Sequence, residues 1–292
     1  MTLNFEPIHL NKQDDYIKHF NECSQKASEY SFVNLWGWAE EYGLYWAWKD
    51  KFVWIKQTIP ETVYWAPVGK WEEAPWARWL NDYFTRPAVF ARIPEDLRNR
   101  WEKVLGNRII SEEARDHWDY LYHADELVAL RGNRFHKKKN LLNQFIKKYQ
   151  FEYIPFDRQI INKAMAMQEN WCTWRDCESS ESLSAENRAI ARILTSWEKL
   201  TTVTGAAIMV DNDMAAYTIA ESLTDETLVI HFEKGNPNYK GVYQAINQIF
   251  IEHSEGRHHV VNRQQDLGDE GLRKAKLSYH PFDFVKKYRI VV

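Results

Sequence analysis

Long apolar runs are missing from this 292-residue chain. No stretch approaches the roughly 20 apolar residues that a bilayer-spanning helix needs, and no N-terminal apolar segment resembles a secretion signal. A soluble, cytoplasmic protein is the expectation. Cysteine is scarce, with only Cys23, Cys172 and Cys177, which excludes a disulfide framework and suits a reducing compartment. Cys172 and Cys177 are five apart and do not converge on one helical face, and His253, His258 and His259 lack the ordered spacing of a zinc module, so no metal is expected. The chain has neither a GxxxxGK(S/T) phosphate loop nor a GxSxG nucleophile elbow, which sets aside P-loop nucleotide hydrolysis and α/β-hydrolase chemistry. Excess charge of one sign is lacking too: the formal net charge is -3, which argues against a uniformly basic nucleic-acid binder.

What is present is enough apolar material for a large core. Hydrophobic residues make up 45% and charged residues 27% of the chain, and the length allows two domains. A faint duplication supports two halves. Phe5 to Gln13 (FEPIHLNKQ) aligns with Phe151 to Gln159 (FEYIPFDRQ), half the chain length away, and each copy reads as a short strand leading into a helix. Eleven of the 14 Trp residues precede residue 120. Trp36, Trp38, Trp46, Trp48, Trp54 and Trp65 fall in periodic segments and read as core, although indoles also stack sugars or bases.

In the first half, the aromatic and β-branched runs Leu44–Trp48, Phe52–Gln57 and Thr62–Ala66 predict an antiparallel meander. Helices are expected over Trp71–Phe84 and Pro94–Leu105, with a strand near Ala88–Ala91 between them. In the second half, Asp157–Cys172 and Leu183–Leu200 read as helices, followed by strands Gly205–Val210, Ala215–Glu221 and Leu228–Glu233. The Asp211-Asn212-Asp213 turn separates the first two. A helix from Val242 to about Glu252, a Val260-Val261 strand, a helix at Gly271 and a final Phe284–Val292 strand complete that half. The fold class is therefore α/β (α+β), each half a mixed, largely antiparallel sheet flanked by helices. The expected domains are 1–130, a basic connecting helix over 131–150, and 151–292.

Two segments concentrate chemistry. Arg131 to Lys148 holds seven Lys or Arg residues and no acid, with Phe135, Leu142, Phe145 and Tyr149 at helical spacing. Arg134, Lys137 and Lys138 suit phosphates of RNA, a nucleotide or a lipid headgroup as well as they suit a solvated helix face. Near the C-terminus, Asp269, Arg273, Lys276 and His280 recur at steps of three and four, so that one helical face would carry them up to Pro281. That pattern equally suits a solvated charged face. Upstream, His231 and Glu233 are two apart on a predicted strand and would share a side.

The motifs Val261-Asn262-Arg263, Asp266-Leu267-Gly268, Gly271-Leu272-Arg273-Lys274-Ala275-Lys276 and Tyr279-His280-Pro281 resemble the end of the phosphatidylglycerol lysyltransferase C-terminal domain family. The likeness continues through His231-Phe232-Glu233-Lys234, Tyr239-Lys240-Gly241, the Arg134–Asn140 run and Phe32-Val33-Asn34-Leu35. The resemblance implies two N-acetyltransferase-type (GNAT) folds in series, with the competent site in the C-terminal half and its junction with the first. It implies aminoacyl transfer from an aminoacyl-tRNA to a hydroxyl or amine on a lipid or small molecule. Lys276 matches the Lys of the synthases' basic-aromatic motif and is the first candidate for electrostatic stabilisation, with Glu233, His231 and Asp266 as proton acceptors or orienters. Arg273, Asn262, Arg263, Tyr279, Lys234, Tyr239, Lys240 and Gly241 are implied substrate contacts, together with Arg134, Lys137 and Lys138. Ala275 departs from the family, which has an aromatic residue there. The loop matching the GNAT pyrophosphate site is Lys240-Gly241-Val242-Tyr243-Gln244-Ala245, in which Tyr243 replaces a usual Gly and would crowd acetyl-CoA. An aminoacyl ester, as used by Fem-type transferases, is the preferred donor. Acetyl-CoA-dependent acetyl transfer and a non-catalytic RNA- or phosphate-binding module are the alternatives.

Overall fold

The turns between the β-hairpins are built by residues that tolerate left-handed backbone. Asp211 and Asn212 take φ +50° and +68°, the twist a two-residue connection between twisted strands requires. Asp213 is already paired with Val210. In the computed structural model, residues 2–72, 74–175, 180–254 and 256–292 are described, without the side chains of 172–175. Cys177 and the Cys172 side chain thus lie outside the described residues.

The described strands are β1 (Glu6–Pro7), β2 (Tyr45–Lys49), β3 (Phe52–Gln57), β4 (Val63–Tyr64), β5 (Val89–Pro94), β6 (Ile110–Glu113), β7 (Asp119–His123), β8 (Phe151–Pro155), β9 (Val203–Val210), β10 (Asp213–Ser222), β11 (Thr227–Gly235), β12 (Val260–Asn262), β13 (Asp283–Val285) and β14 (Lys287–Val291). The helices are α1 (Gln13–Asn21), α2 (Phe32–Trp38), α3 (Trp76–Tyr83), α4 (Glu95–Leu105), α5 (Ala124–Ala129), α6 (His136–Lys148), α7 (Arg158–Arg175), α8 (Glu181–Thr195), α9 (Val242–His253) and α10 (Glu270–Leu277). Most strand and helix expectations hold within a few residues. Helix α3 begins at Trp76 rather than Trp71, because Pro75 occupies its N-cap position.

The chain forms two compact units. Unit 1 comprises Met1–Asp119, Gln264–Glu270 and Phe284–Val292, and unit 2 comprises Tyr120–Arg263 and Gly271–Asp283. One sheet runs β1-β2-β3-β4-β5-β14-β6 and the other β8-β9-β10-β11-β12-β7-β13. The two orders are the same pattern. In each, the fourth and fifth strands, β4 with β5 and β11 with β12, form a parallel pair, and the sixth place is filled from the other half of the chain, by β14 and by β7. The Phe284–Val292 segment therefore does not complete the second half as expected. Lys287–Val291 instead pairs antiparallel with β5 and β6, giving the buried Phe90 and Ile93 of β5 a hydrogen-bonded neighbour where an edge would otherwise be open.

Trp46, Trp54, Trp65 and Trp101 are fully buried in unit 1, whereas Trp36, Trp38 and Trp48 are half-buried. In unit 2, β9 to β11 are buried over nearly their whole length, as expected of a sheet covered on both faces. Glu233 on β11 meets Asn247 of α9, and the next residue, Lys234, meets Glu186 of α8. Since neighbours along a strand point to opposite faces, α9 and α8 cover opposite sides.

Candidate functional site

The parallel pair in unit 2 is short. Strands β11 and β12 pair only from Thr227–Val229 to Val260–Asn262, after which β11 continues to Gly235 beside β10 and Arg263 leaves the end of β12. Crevices beyond the carboxyl ends of parallel strands are where open α/β sheets bind ligands. Here the guanidinium of Arg263 donates from Nη2 to Glu233 Oε2 at 2.5 Å, and Asn247 Nδ2 donates to the other Glu233 oxygen at 2.8 Å. The Arg263 guanidinium lies 4.9 Å from the Tyr279 ring centre and 5.9 Å from that of Tyr122. Lys138, from α6, lies 4.3 Å from the same Tyr279 ring.

Lys276 sits beneath this assembly, only 8% exposed. Its Nζ donates to the Arg263 carbonyl at 2.6 Å and lies 5.6 Å from the Tyr120 ring centre. The Lys276 carbonyl accepts from the Tyr122 hydroxyl at 2.8 Å. The two ends of the lysine are thereby tied to Arg263 itself and to Tyr122, one of the rings beside its guanidinium. Burial opposes the charge on Arg263, but the adjacent Glu233 carboxylate and the Tyr279 and Tyr122 hydroxyls together hold the guanidinium more firmly protonated than usual. Burial pushes the Tyr279 and Tyr122 phenols up, against the pull of Arg263, so both are neutral donors at physiological pH. Lys138 is pushed down, by burial first and then by Arg263. Arg263 pairs with the Glu233 carboxylate, Lys138 lies over the Tyr279 ring and Lys276 holds the Arg263 carbonyl. Arg263 Nη1 is buried and makes no hydrogen bond among the described residues.

The structure brings Glu233, Arg263, Lys276, Tyr279 and Lys138 together and leaves the other candidates elsewhere. His231 does not share its setting with Glu233. A β-bulge interrupts the alternation, since Ile219 pairs with Phe232 while Ala220 pairs with Ile230, and His231 Nε2 meets Glu221 Oε1 at 3.0 Å. Lys234 pairs with Glu186 at 2.5 Å and lies 3.7 Å from the Trp171 ring centre. Asp266 is part of unit 1, where it accepts from Arg115 at 3.3 Å and from the Gly268 amide at 2.9 Å. Asn262 is fully buried within β12, and Arg134 pairs with Glu126.

The expected face of Asp269, Arg273, Lys276 and His280 does not form, because α10 covers only Glu270–Leu277. Asp269 precedes the helix, Arg273 is half-buried on it, and His280 lies beyond it at φ +55° against the Phe135 ring. Gly241 is the N-cap residue of α9 at φ +87°, and a Cβ there would fall 2.2 Å from the Leu141 carbonyl oxygen. Tyr239 stacks edge-on with Tyr149. Lys240 lines a basic cavity of about 300 Å³ with Gln144, Lys147 and Lys148, and Lys137 is exposed. Sequence reasoning missed Tyr120, Tyr122 and Asn247. Asn247 had a readable signal, a buried polar residue within the apolar run of α9.

The family model for the phosphatidylglycerol lysyltransferase C-terminal region matches residues 20–291. A conserved protein of unknown function from Bacteroides thetaiotaomicron is similar over 99% of both chains, with TM-score 0.90 and 29% identity. The C-terminal domain of a putative lysylphosphatidylglycerol synthetase from Agrobacterium fabrum shares the fold over 97% of this chain and 90% of its own, with TM-score 0.66 at 12% identity. An uncharacterized protein of Mycoplasmoides gallisepticum is 29% identical over 183 residues, covering 60% of this chain and 56% of that protein. The chain thus spans little more than half the length of the curated relative it matches. Its fold is two units whose sheets share one strand order, and no helix among the described residues is long and apolar enough to cross a membrane. The chain belongs to the phosphatidylglycerol lysyltransferase C-terminal family.

Proposed function

We propose that this member of the family transfers an aminoacyl group from an aminoacyl-tRNA to a hydroxyl or amine on a lipid or small-molecule acceptor. The observation that carries the reading is the convergence of Glu233 on β11 with Arg263, Lys276 and Tyr279 just beyond the end of β12. Acyl transfer builds negative charge on a carbonyl oxygen, and preorganised hydrogen-bond donors and cations favour that charge. Lys276 supplies part of the field and, through its bond to the Arg263 carbonyl, positions the arginine. The lysine-lined cavity at Gln144, Lys147, Lys148 and Lys240 supports a phosphate-bearing partner such as tRNA. Tyr243 argues against acetyl-CoA as the donor. Its hydroxyl donates to the Gly235 carbonyl and accepts from the Trp171 indole, both at 3.3 Å, so the ring is held at the start of α9 where a pyrophosphate would need open backbone.

The test incubates the full chain with a pool of radiolabelled aminoacyl-tRNAs and a bacterial extract separated into lipid and aqueous fractions. Label is expected in one fraction, with turnover falling at least 10-fold in Lys276→Ala. Turnover unchanged by that substitution would remove Lys276 from the mechanism. Absence of transfer from every aminoacyl-tRNA, with acetyl-CoA consumed instead, would overturn the donor assignment.

A further inference from the structure

The repeated sheet order allows one unit to be read against the other. In unit 1, Phe90 of β5 pairs with Tyr64 on its parallel neighbour and with Ile290 on its antiparallel neighbour. In unit 2, Val261 of β12 pairs in the same way with Leu228 and Tyr122. Two residues after each stands an arginine, Arg92 and Arg263. The surroundings correspond as well. The Arg92 guanidinium lies 4.5 Å from the Trp65 ring centre and 4.8 Å from that of Tyr42, and Arg92 Nε lies 3.8 Å from Glu29. Arg263 has its own two rings and its own carboxylate, described above.

The two arginines differ at Nη1, although Arg92 Nε is also buried without a hydrogen bond among the described residues. Arg92 Nη1 donates to the side-chain carbonyl oxygen of Gln57 at 2.8 Å, an oxygen that also accepts from Trp65 Nε1 at 2.9 Å. Arg263 Nη1 is buried without an acceptor among the described residues. Unit 1 therefore displays, within the same molecule, the kind of atom such a guanidinium takes: a carbonyl oxygen held beside an aromatic ring. We infer that Arg263 Nη1 receives the carbonyl oxygen of the acyl group being transferred and is the donor that stabilises its oxyanion, whereas Arg92 Nη1 is satisfied by Gln57 and takes no substrate. This rests on the aminoacyl-transfer reading.

The step balances without an added reagent. The acceptor's hydroxyl or amine attacks the ester carbonyl carbon, forming the new C–O or C–N bond and moving the carbonyl π electrons onto the oxygen at Arg263 Nη1. The pair returns as C=O re-forms and the bond to the donor's ribose oxygen breaks. The proton lost by the acceptor ends on that ribose oxygen. Nothing is oxidised or reduced.

An oxyanion donor acts in the transition state, so its loss lowers kcat with little effect on KM. For Arg263→Ala we expect kcat to fall roughly 10²–10³-fold, KM for aminoacyl-tRNA to stay within about threefold of wild type, and millimolar guanidinium to recover part of the loss. Arg92→Lys is expected to keep kcat. If Arg263→Ala does not fold, Arg263→Lys decides on the same kcat criterion, because it keeps a cation for Glu233 but lacks the planar fork. A kcat within a few-fold of wild type, or a rise in KM alone, overturns the oxyanion role while leaving aminoacyl transfer standing. A wild-type chain that transfers nothing overturns both.

Discussion

Replacing Lys287 with Met is the sharpest test of how unit 1 is held together. Lys287 is fully buried, and its ammonium pairs with Glu29 and, at 2.6 Å, with Asp119. Asp119 also accepts from the Ser28 amide and hydroxyl at 2.8 and 2.9 Å and from Gln265 at 2.5 Å. Met fills similar volume but leaves two carboxylates facing each other without their central cation. Breaking a buried pair in this way costs about 3–5 kcal/mol, or roughly 10 °C in Tm at 2–4 °C per kcal/mol. The sign of the pH dependence follows from Glu29, whose carboxyl burial already pushes up against the opposing pull of Lys287. Without Lys287 it rises further. A carboxyl whose folded pKa exceeds its unfolded value takes up a proton on folding, so the variant's deficit is greatest at neutral pH and shrinks as pH falls toward the carboxylate range near 4. Tryptophan fluorescence is the assay, since eleven of the 14 indoles precede residue 120 and so report on unit 1. A loss below about 1 kcal/mol, or an equal loss at pH 4.5 and 7.5, would refute the reasoning.

Two further substitutions probe single features. Gly241→Ala places a Cβ 2.2 Å from the Leu141 carbonyl at φ +87°, so a loss of roughly 1–3 kcal/mol is expected in urea unfolding, and a neutral result would show that α6 and α9 are not packed as described. His117 is pushed down to about 3, by burial first and then by Arg92 and Lys287, and its Nδ1 is buried without a hydrogen bond among the described residues. The unfolded chain therefore binds a proton between pH 6.5 and 3 that the folded chain refuses, so this residue's contribution to stability is lost as pH falls through that window. His117→Phe should flatten the wild-type decline in stability between pH 6.5 and 4.5, measured by denaturant titration at each pH. An unchanged slope would mean that His117 accepts its proton in the folded state.

The candidate site was half legible in the sequence, and the reason differs from residue to residue. Arg263, Lys276 and Tyr279 come from one continuous stretch, and Glu233 could be placed on a strand by its apolar neighbours. Local pattern carried those four. It failed at His231, because period-two reasoning assumes an unbroken ladder and the bulge between Ile230 and Phe232 is set by pairing with β10, not by any residue signal. It failed at Asp266 for another reason: a motif position beside Arg263 in sequence falls in the Gln264–Glu270 segment of unit 1, where Asp266 closes its own turn and meets Arg115. Tyr120 and Tyr122 were unreadable as site residues. They stand in a strand that sequence reading left unassigned, and only its pairing with β12 brings them to Arg263.

That pairing also explains why a duplication visible at Phe5 and Phe151 did not disclose the sheet order. Repeats in sequence report ancestry along the chain, whereas hydrogen-bonded neighbours are settled by which edge each strand can close. The fifth strand of each sheet, β5 or β12, has its parallel partner on one side and needs an antiparallel partner on the other, because a buried strand cannot leave its amides unpaired. β14 and β7 meet that need in reciprocal fashion. Each lies far in sequence from the strands it joins, so no window along the chain contains the pattern. The same reciprocity makes Asp119 and Lys287, the first residues of the two exchanged strands, both fully buried and paired with each other at 2.6 Å.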